Sequence, residues 1–451
     1  MAGTVMTENG VRQVQRRTVA LLGVAQVFAG IGTGATVSIG SILAVELSGS
    51  AAWAGAVATV MTLGAALAAL PLASLADRRG RRIGQVTGLS AALLGAVLMV
   101  LAVVSGLFVL LLLGAAGIGV GAAASLQARF AAVDLAEAEH RGRALSAVVW
   151  AVTVGAVAGP NLIQPGAVVG QALGLPAVAG PFVISAAGLL LATILLFAGL
   201  RPDPLLLARE LASRQGAGQP AGALPAPPSQ APSLQARPAG SLVRGLRAIR
   251  QSRAAWLALA AVVAAHAVMI GVMSMTPLHL QELVAGPGHA GHAATGDVLV
   301  IIGFTISLHI AGMFALSPVM GWLTDKAGRP QTITIGFTTI IAAAAVAGFG
   351  QSSTVAVAVG LVLLGLGWSA SSISGSTLLA ESVAQESRVV VQGVSDMLMG
   401  IAGAVGGATS GLVLSGAGYL GLNMVGAVVG AAVLAFALVT LAAGRRKSVP
   451  G

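Results

Sequence analysis

The chain has no cysteine, few charges, and none of the short motifs that hydrolytic or nucleotide-cleaving sites need. Without cysteine, disulfides, thiolate metal sites and thiol catalysis are excluded. Charged residues are only 8% of the sequence against 56% hydrophobic, and mean hydropathy is +0.93. So few charges cannot cover the surface of an ordinary soluble domain. No Gly-x-Ser-x-Gly, His-Glu-x-x-His or Gly-Lys phosphate loop occurs, and the Gly-x-Gly runs lie inside apolar stretches, where glycines pack helices. Catalysis, nucleotide hydrolysis and a bound cofactor are therefore not expected.

What the 451 residues do contain is a series of long apolar runs broken by short polar segments. Runs of about 20 residues are the length needed to cross a bilayer as a helix, so the pattern reads as a polytopic, all-α membrane protein. Candidate spans cover about 18–46, 53–75, 83–104, 107–131, 144–166 and 179–200, then about 254–283, 297–323, 330–350, 354–378, 391–415 and 420–443, twelve in all. The first run follows Arg12, Arg16 and Arg17 and lacks a small-residue cleavage site, so it reads as an uncleaved first span. All 24 Lys and Arg fall in the two tails, the loops after even-numbered spans or the adjoining span ends. By the positive-inside rule, both termini and the central loop are expected in the cytoplasm, with the chain in the plasma membrane. The net charge of +10 follows from this one-sided distribution and does not imply nucleic acid.

The expected organisation is a six-span bundle over 1–200, a linker over 201–253 and a second six-span bundle over 254–451. The linker's middle, Gln215 to Gly240, is rich in Pro, Gly, Ala and Ser and reads as disordered. Over 241–253, Arg residues recur every third position with Leu242, Leu246 and Ile249 between them. This is either an amphipathic helix on the membrane surface or a basic flank of the next span.

Two short cationic loops are related. Leu72-Ala-Ser-Leu-Ala-Asp-Arg-Arg-Gly-Arg-Arg82 is echoed by Gly321-Trp-Leu-Thr-Asp-Lys-Ala-Gly-Arg-Pro330. Each has Asp, then Gly three residues on and Arg four on: Asp77, Gly80, Arg81 and Asp325, Gly328, Arg329. The Gly permits a tight reversal between helices, and the Arg opens the second helix within reach of the Asp. Adding 247 or 248 also carries Asp134 to Glu381, Arg141 to Arg388, and Gly159-Pro160 to Gly406-Gly407. Because six spans separate the copies, the halves are parallel repeats, an arrangement that places a substrate site at their interface.

The loop after span 2, its copy after span 8 and the six-plus-six layout resemble the major facilitator superfamily over essentially the whole chain. The family's loop pattern is Gly-x-Leu-Ala-Asp-Arg-x-Gly-Arg-Lys; Leu75, Ala76, Asp77, Arg78, Gly80, Arg81 and a basic Arg82 match it, while Ala73 replaces the first Gly. The resemblance implies that Asp77 and Arg81 form a charge relay with Asp134 that holds the outward-open state, with Glu381 as the counterpart beside Asp325 and Arg329. Gly155-Ala-Val-Ala-Gly-Pro160 is similar to part of a span 5 motif of proton-exchanging exporters, although Ile163 and Gln164 stand where a second Gly pair would be. It also reads as a helix-packing Gly-x-x-x-Gly followed by a kink. The Arg that such exporters carry in span 4 is absent: only Leu113 and Ala115 precede Gly117 there.

In this family spans 1, 4, 7 and 10 line the cavity, which makes Gln26, Gln127, Arg129, His266 and Trp368, with the serines from Ser369 to Ser376, candidates to touch substrate. Spans 5 and 8 add Trp150, Asn161, Gln164 and His309. His266 and His309 lie near the middle of their spans, where an ionisable group is costly; each is either functional or a neutral His bonded to a neighbouring helix. Arg129 either faces the cavity or snorkels and pairs with Asp134. The tryptophans either stack on a substrate ring or pack. Proton-carrying candidates are Asp396, about two turns inside span 11, and the outer-end acids Glu46 and Glu282, which are either carriers or rim charges; Asp297 also lies at an outer span end. Asp396 either loads and releases the coupling proton, with His309 or His266, or pairs with Arg78 or Arg81.

The reading is a monomeric transporter working by alternating access that exports a small, fairly apolar or weakly charged compound in exchange for protons. An importer or facilitator of a polar nutrient and a non-transporting sensor or partner subunit are the alternatives. Partners beyond substrate and protons are the bilayer lipids.

Overall fold

A backbone surrounded by lipid must satisfy every N–H and C=O within itself, and this chain does so with helices. In the computed structural model, residues 7–137, 141–217, 245–247, 249–286, 296–383 and 388–447 are described. Span 1 is Glu8–Ser48, span 2 Ala56–Arg79, span 3 Arg81–Ser105 and span 4 Phe108–Ala131. Span 5 is Arg141–Asn161, continued by Ile163–Ala172 at a bend of 60° immediately after Pro160 and Asn161. Span 6 is Gly180–Gly199, and a linker helix, Pro204–Ala217, leaves it.

The second half repeats this order. Span 7 is Arg253–Ala285, span 8 Gly296–Phe314 with Ser317–Ala327, span 9 Arg329–Phe349 and span 10 Thr354–Glu381. The last helix, Arg388–Lys447, is broken at Gly418, whose φ of 67° and ψ of −175° end span 11 and begin span 12. Twelve crossings result, as the hydropathy pattern predicts.

The packing is a parallel repeat. Span 1 packs on span 5, span 2 on span 4 and span 3 on span 6; in the same way span 7 packs on span 11, span 8 on span 10 and span 9 on span 12. Gly155 and Gly159 lie against span 1, where a Cβ would stand 2.0 Å from the Val27 carbonyl oxygen and 2.6 Å from that of Ile31. Those two glycines of the exporter-like motif are therefore occupied in close helix packing, and the kink follows them.

The linker is described only in part. Most of the disordered segment expected between Gln215 and Gly240 lies outside the described residues, as does 241–244. In the part of the basic segment that is described, the apolar residues turn to protein: Ile249 is fully buried and Leu246 half-buried against the core of the second half. The segment is not a simple flank of span 7, because Ser252 interrupts the helix and caps span 7 by accepting from the Ala255 N–H at 3.3 Å.

Candidate functional site

The site is formed where the two halves meet. With the Arg-rich ends of the helices defining a basic face, the halves touch over the opposite side of the molecule. Two interfaces carry this contact, span 2 against span 11 and span 5 against span 8. Along span 11, Gly411, Gly407, Ala404 and Gly400 recur at helical spacing on one face. Gly411 lies against the Ala52 carbonyl, Gly407 meets Gly55, and the Ala404 carbonyl accepts from Thr59 Oγ1 at 3.2 Å. Gly400 ends the series against Ala66, with a contact of 3.5 Å to its would-be Cβ. Small residues let the backbones approach this closely.

The pseudo-symmetric interface is latched by hydrogen bonds. Asn161 Nδ2 donates to Ser307 Oγ at 2.7 Å, and Ser307 Oγ donates to the Val157 carbonyl at 2.7 Å. Gly303 sits against the Pro160 carbonyl, where a Cβ would be 2.3 Å from the oxygen. Apolar residues follow the same division: Ile42, Val45 and Ala54 of the first half join the second half's core, and Leu299 joins the first half's.

Toward the basic face both stripes part. On span 5 the positions one and two turns below Val157 are Val154 and Trp150, and both are exposed. On span 2 the position one turn below Ala66 is Leu70, 66% exposed; on span 11 the position one turn below Gly400 is Asp396, also exposed. The molecule is thus closed at the opposite face and open at the basic face, with Trp150, Leu70 and Asp396 on the walls of the opening.

Deeper in the second half, three rings from three spans cluster. Trp368 Nε1–H donates to His266 Nδ1 at 3.3 Å, and Phe314 meets the Trp368 ring edge-on at 5.8 Å between centroids. All three are half-buried, and the His266 ring lies on Gly403 of span 11. This makes an aromatic wall with one polar edge. His309 is separate: it is fully buried, and its Nδ1 bonds the Leu361 carbonyl at 2.7 Å, tying span 8 to span 10.

Other candidates take structural places. Gln26 is buried and its Nε2 reaches the Ser125 carbonyl at 3.4 Å; Gln127 Nε2 donates to the Ala69 carbonyl at 2.9 Å, pinning span 4 to span 2. Asn161 belongs to the latch, because the bend after Pro160 turns it toward span 8, and Gln164 is exposed beyond that bend. Ser369, Ser371 and Ser372 have buried hydroxyls without partners, and Ser371 faces Gly336 of span 9. Glu46, Glu282 and Asp297 are exposed at the opposite-face ends of spans 1, 7 and 8.

The charged loops differ from the expected relay. Arg81 makes a two-pronged contact with Asp134, Nε to Oδ2 at 2.8 Å and Nη2 to Oδ1 at 3.1 Å. Asp77 is not part of it: its partner is Arg209 of the linker helix, which also donates to the Asp77 carbonyl at 2.7 Å. In the second half the expected set is whole, with Arg329 bonded to Asp325 at 3.2 Å and to Glu381 at 2.9 Å. Each set lies within one half, and both are formed while the molecule is open at the basic face. Arg129 does not pair with Asp134, which Arg81 occupies, and Asp396 pairs with neither Arg78 nor Arg81 among the described residues.

Sequence reasoning passed over two functional neighbours. Asp203 accepts from the Arg82 N–H at 2.7 Å and from the Leu205 and Leu206 N–H groups at 3.1 and 3.3 Å, so it caps both span 3 and the linker helix. Its signal was present, an Asp placed directly before a Pro that opens a helix. Ser307 carried no such signal, because a lone serine in an apolar span looks like any other.

Comparison with known proteins agrees with this architecture. Residues 22–296 and 289–451 match the sequence profile of the Major Facilitator Superfamily. The MFS-type transporter YdeG of Bacillus subtilis is 34% identical over 92% of this chain and 90% of its own length; YddS of the same organism is 33% identical over 92% and 89%. The riboflavin transporter RfnT of Brucella anthropi is 28% identical over 85% of each chain. Among solved structures, the nucleoside transporter NupG superposes with a TM-score of 0.65 over 94% of this chain and 98% of its own, at 16% identity. A bacterial homologue of the lysosomal transporter Spinster, in an inward-facing and occupied conformation, gives 0.65 over 93% and 95% at 17% identity. Two parallel six-span halves, closed on one side of the membrane and open on the other, together with a profile match across both, make this chain a member of the Major Facilitator Superfamily, whose transporters work by alternating access.

Proposed function

We propose that the chain exports small, fairly apolar, ring-bearing compounds across the plasma membrane in exchange for protons, with Asp396 carrying the proton. The observations that carry this reading are an aromatic cluster of Trp368, Phe314 and His266 in the second half, the exposed ring of Trp150, and a carboxylate at Asp396 that makes no ion pair among the described residues. Flat rings are held by stacking and burial, and a strongly anionic substrate finds no cluster of cations there. An unpaired carboxylate inside a membrane span is a place where a proton can be taken up and released as access alternates. The resemblance to a riboflavin transporter supports a ring-bearing substrate. The basic face is read as cytoplasmic, since the arginine-rich loops all lie there. Glu46 and Glu282 are rim charges on this reading, and the chain acts as a monomer.

The test uses inside-out vesicles and a ligand found by thermal shift of the purified protein, since a bound compound stabilises by mass action. Substrate uptake should require an acid interior, and Asp396→Asn should abolish that requirement. Uptake that is indifferent to a protonophore would replace exchange by facilitated diffusion, and a variant strain that fails to grow on a nutrient, without drug sensitivity, would favour import. A reporter active only outside the cytoplasm, fused after Gly451, should stay silent.

A further inference from the structure

At the basic face, two cations of the first half gather at one ring. Arg82 lies in the first turn of span 3 and Arg201 two residues past span 6, and each guanidinium stands 5.5 Å from the centre of the Phe197 ring. The two are therefore within twice that distance of each other. Span 3 packs on span 6, so the arms reach this point from neighbouring helices. Neither has an anionic partner among the described residues. The acid beside them in sequence, Asp203, is satisfied by backbone, accepting from the Arg82, Leu205 and Leu206 N–H groups. A phenyl ring attracts a cation only weakly, and two guanidiniums held at one ring repel each other, so the pair presents an unmet demand for an anion.

The surroundings say which kind of anion. Phe197 is 50% exposed in the last turn of an apolar span. Leu190, Ile194 and Phe197 recur at helical spacing, each about half exposed, and Arg201 is the next position in that series. Side chains exposed along a membrane span meet acyl chains. An apolar stripe that ends in two arginines at headgroup level matches a phospholipid in both its parts, chain and phosphate.

We propose that Arg82 and Arg201 bind the phosphate of an anionic phospholipid in the leaflet at the basic face, with an acyl chain lying along Ile194 and Leu190 of span 6. Phosphate oxygens accept from guanidinium forks in the geometry arginine favours. The site belongs to the first half alone: the offset of 248 that carries Arg81 to Arg329 carries Arg82 to Pro330, which has no charge. Because the Arg82 N–H also holds Asp203, the lipid sits on the same turn that carries the linker helix, and its binding stabilises the folded protein by mass action. The proposal does not depend on the substrate, the direction of transport or proton exchange.

The test titrates purified protein, in a neutral detergent, with phosphatidylglycerol, phosphatidylcholine or inorganic phosphate, reading the unfolding midpoint and lipid adducts by native mass spectrometry. Phosphatidylglycerol should raise the midpoint and bind the unaltered protein about tenfold or more tightly than R82Q/R201Q, a factor equal to ~1.4 kcal/mol. R16Q/R17Q removes the same charge from two exposed arginines of span 1 and should bind as the unaltered protein does. Equal affinity in the unaltered protein and R82Q/R201Q overturns the site. So does an equal loss in R16Q/R17Q, since net charge alone would then attract the lipid. A midpoint shift reproduced by inorganic phosphate assigns the arginines to a free anion and overturns the lipid, and equal binding of phosphatidylcholine overturns the demand for an anionic one. Should R82Q fail to insert, R201Q alone carries the test: it should weaken phosphatidylglycerol binding severalfold, and unchanged affinity overturns the proposal.

Discussion

The loop after span 2 and the loop after span 8 share one sequence pattern and are built differently. In the first, Arg81 and Asp134 are 18% and 12% exposed and bind each other in a two-pronged contact, while Asp77 turns away to Arg209. In the second, Arg329 is divided between Asp325, 75% exposed, and Glu381, 49% exposed. The difference arises from what covers each loop. The linker helix lies over the first, supplying Arg209 to Asp77 and Asp203 to the Gly80–Arg82 turn. A motif therefore fixes which charges are near one another, and the covering element decides which of them are desolvated.

That contrast can be broken most forcefully at Asp134. Asp134→Asn leaves Arg81 mostly buried without its anion, a loss that approaches the ~3–5 kcal/mol typical of a broken buried pair. The unfolding midpoint of the detergent-solubilised protein should fall clearly, and a fall no larger than that of Glu381→Gln would show that burial does not separate the two loops. A smaller effect, about 1–3 kcal/mol, is expected for Gly80→Ala, because its φ of 93° disfavours any side chain. A Cβ there would also stand 2.4 Å from Asp203 Oδ2, an oxygen held by the Arg82 N–H. Gly328→Ala shares the backbone strain, with φ of 100°, yet its Cβ meets only the end of the flexible Gln331 side chain. It should be the milder of the two in the same melt, and equal losses would remove the role given to Asp203.

Smaller still is Glu381→Gln, at roughly 0–1 kcal/mol, since the pair is exposed and Arg329 retains Asp325. A loss comparable to that of Asp134→Asn would mean that the second loop becomes buried in another state of the transport cycle. The least effect on stability is expected for Arg209→Gln, whose pair with Asp77 is half-exposed and worth under about 1 kcal/mol. A double-mutant cycle with Asp77→Asn should give a small positive coupling. Zero coupling would mean that the Arg209–Asp77 pair does not help to hold the linker helix.

The fold was legible to a large degree, because membrane insertion is decided by local sums. Apolar length sets each span, one-sided arginine sets the expected orientation, and an even repeat of six spans sets the parallel halves. The ion pairs Arg81–Asp134 and Arg329–Glu381 were legible as well, since each joins neighbouring helices whose basic-face ends a short loop and a repeated spacing bring together. The site was less so. Asn161, a cavity candidate by residue type, became part of the latch through the bend after Pro160, and Ser307, its partner 146 positions away, had no signal at all.

What the sequence alone determined is therefore everything that depends on a residue and its near neighbours along the chain: class, spans, repeat, and the placing of charge on one face. Only the tertiary structure decided which of two loops would be covered, that Asp77 answers to Arg209, and that the opposite face is closed. The physical reason is that these depend on the rotation of each helix about its own axis and on the tilt of one half against the other. Those rotations are set by the small-residue stripes of spans 1, 2, 5, 8 and 11 acting together, and a single stretch of sequence does not contain its own partner.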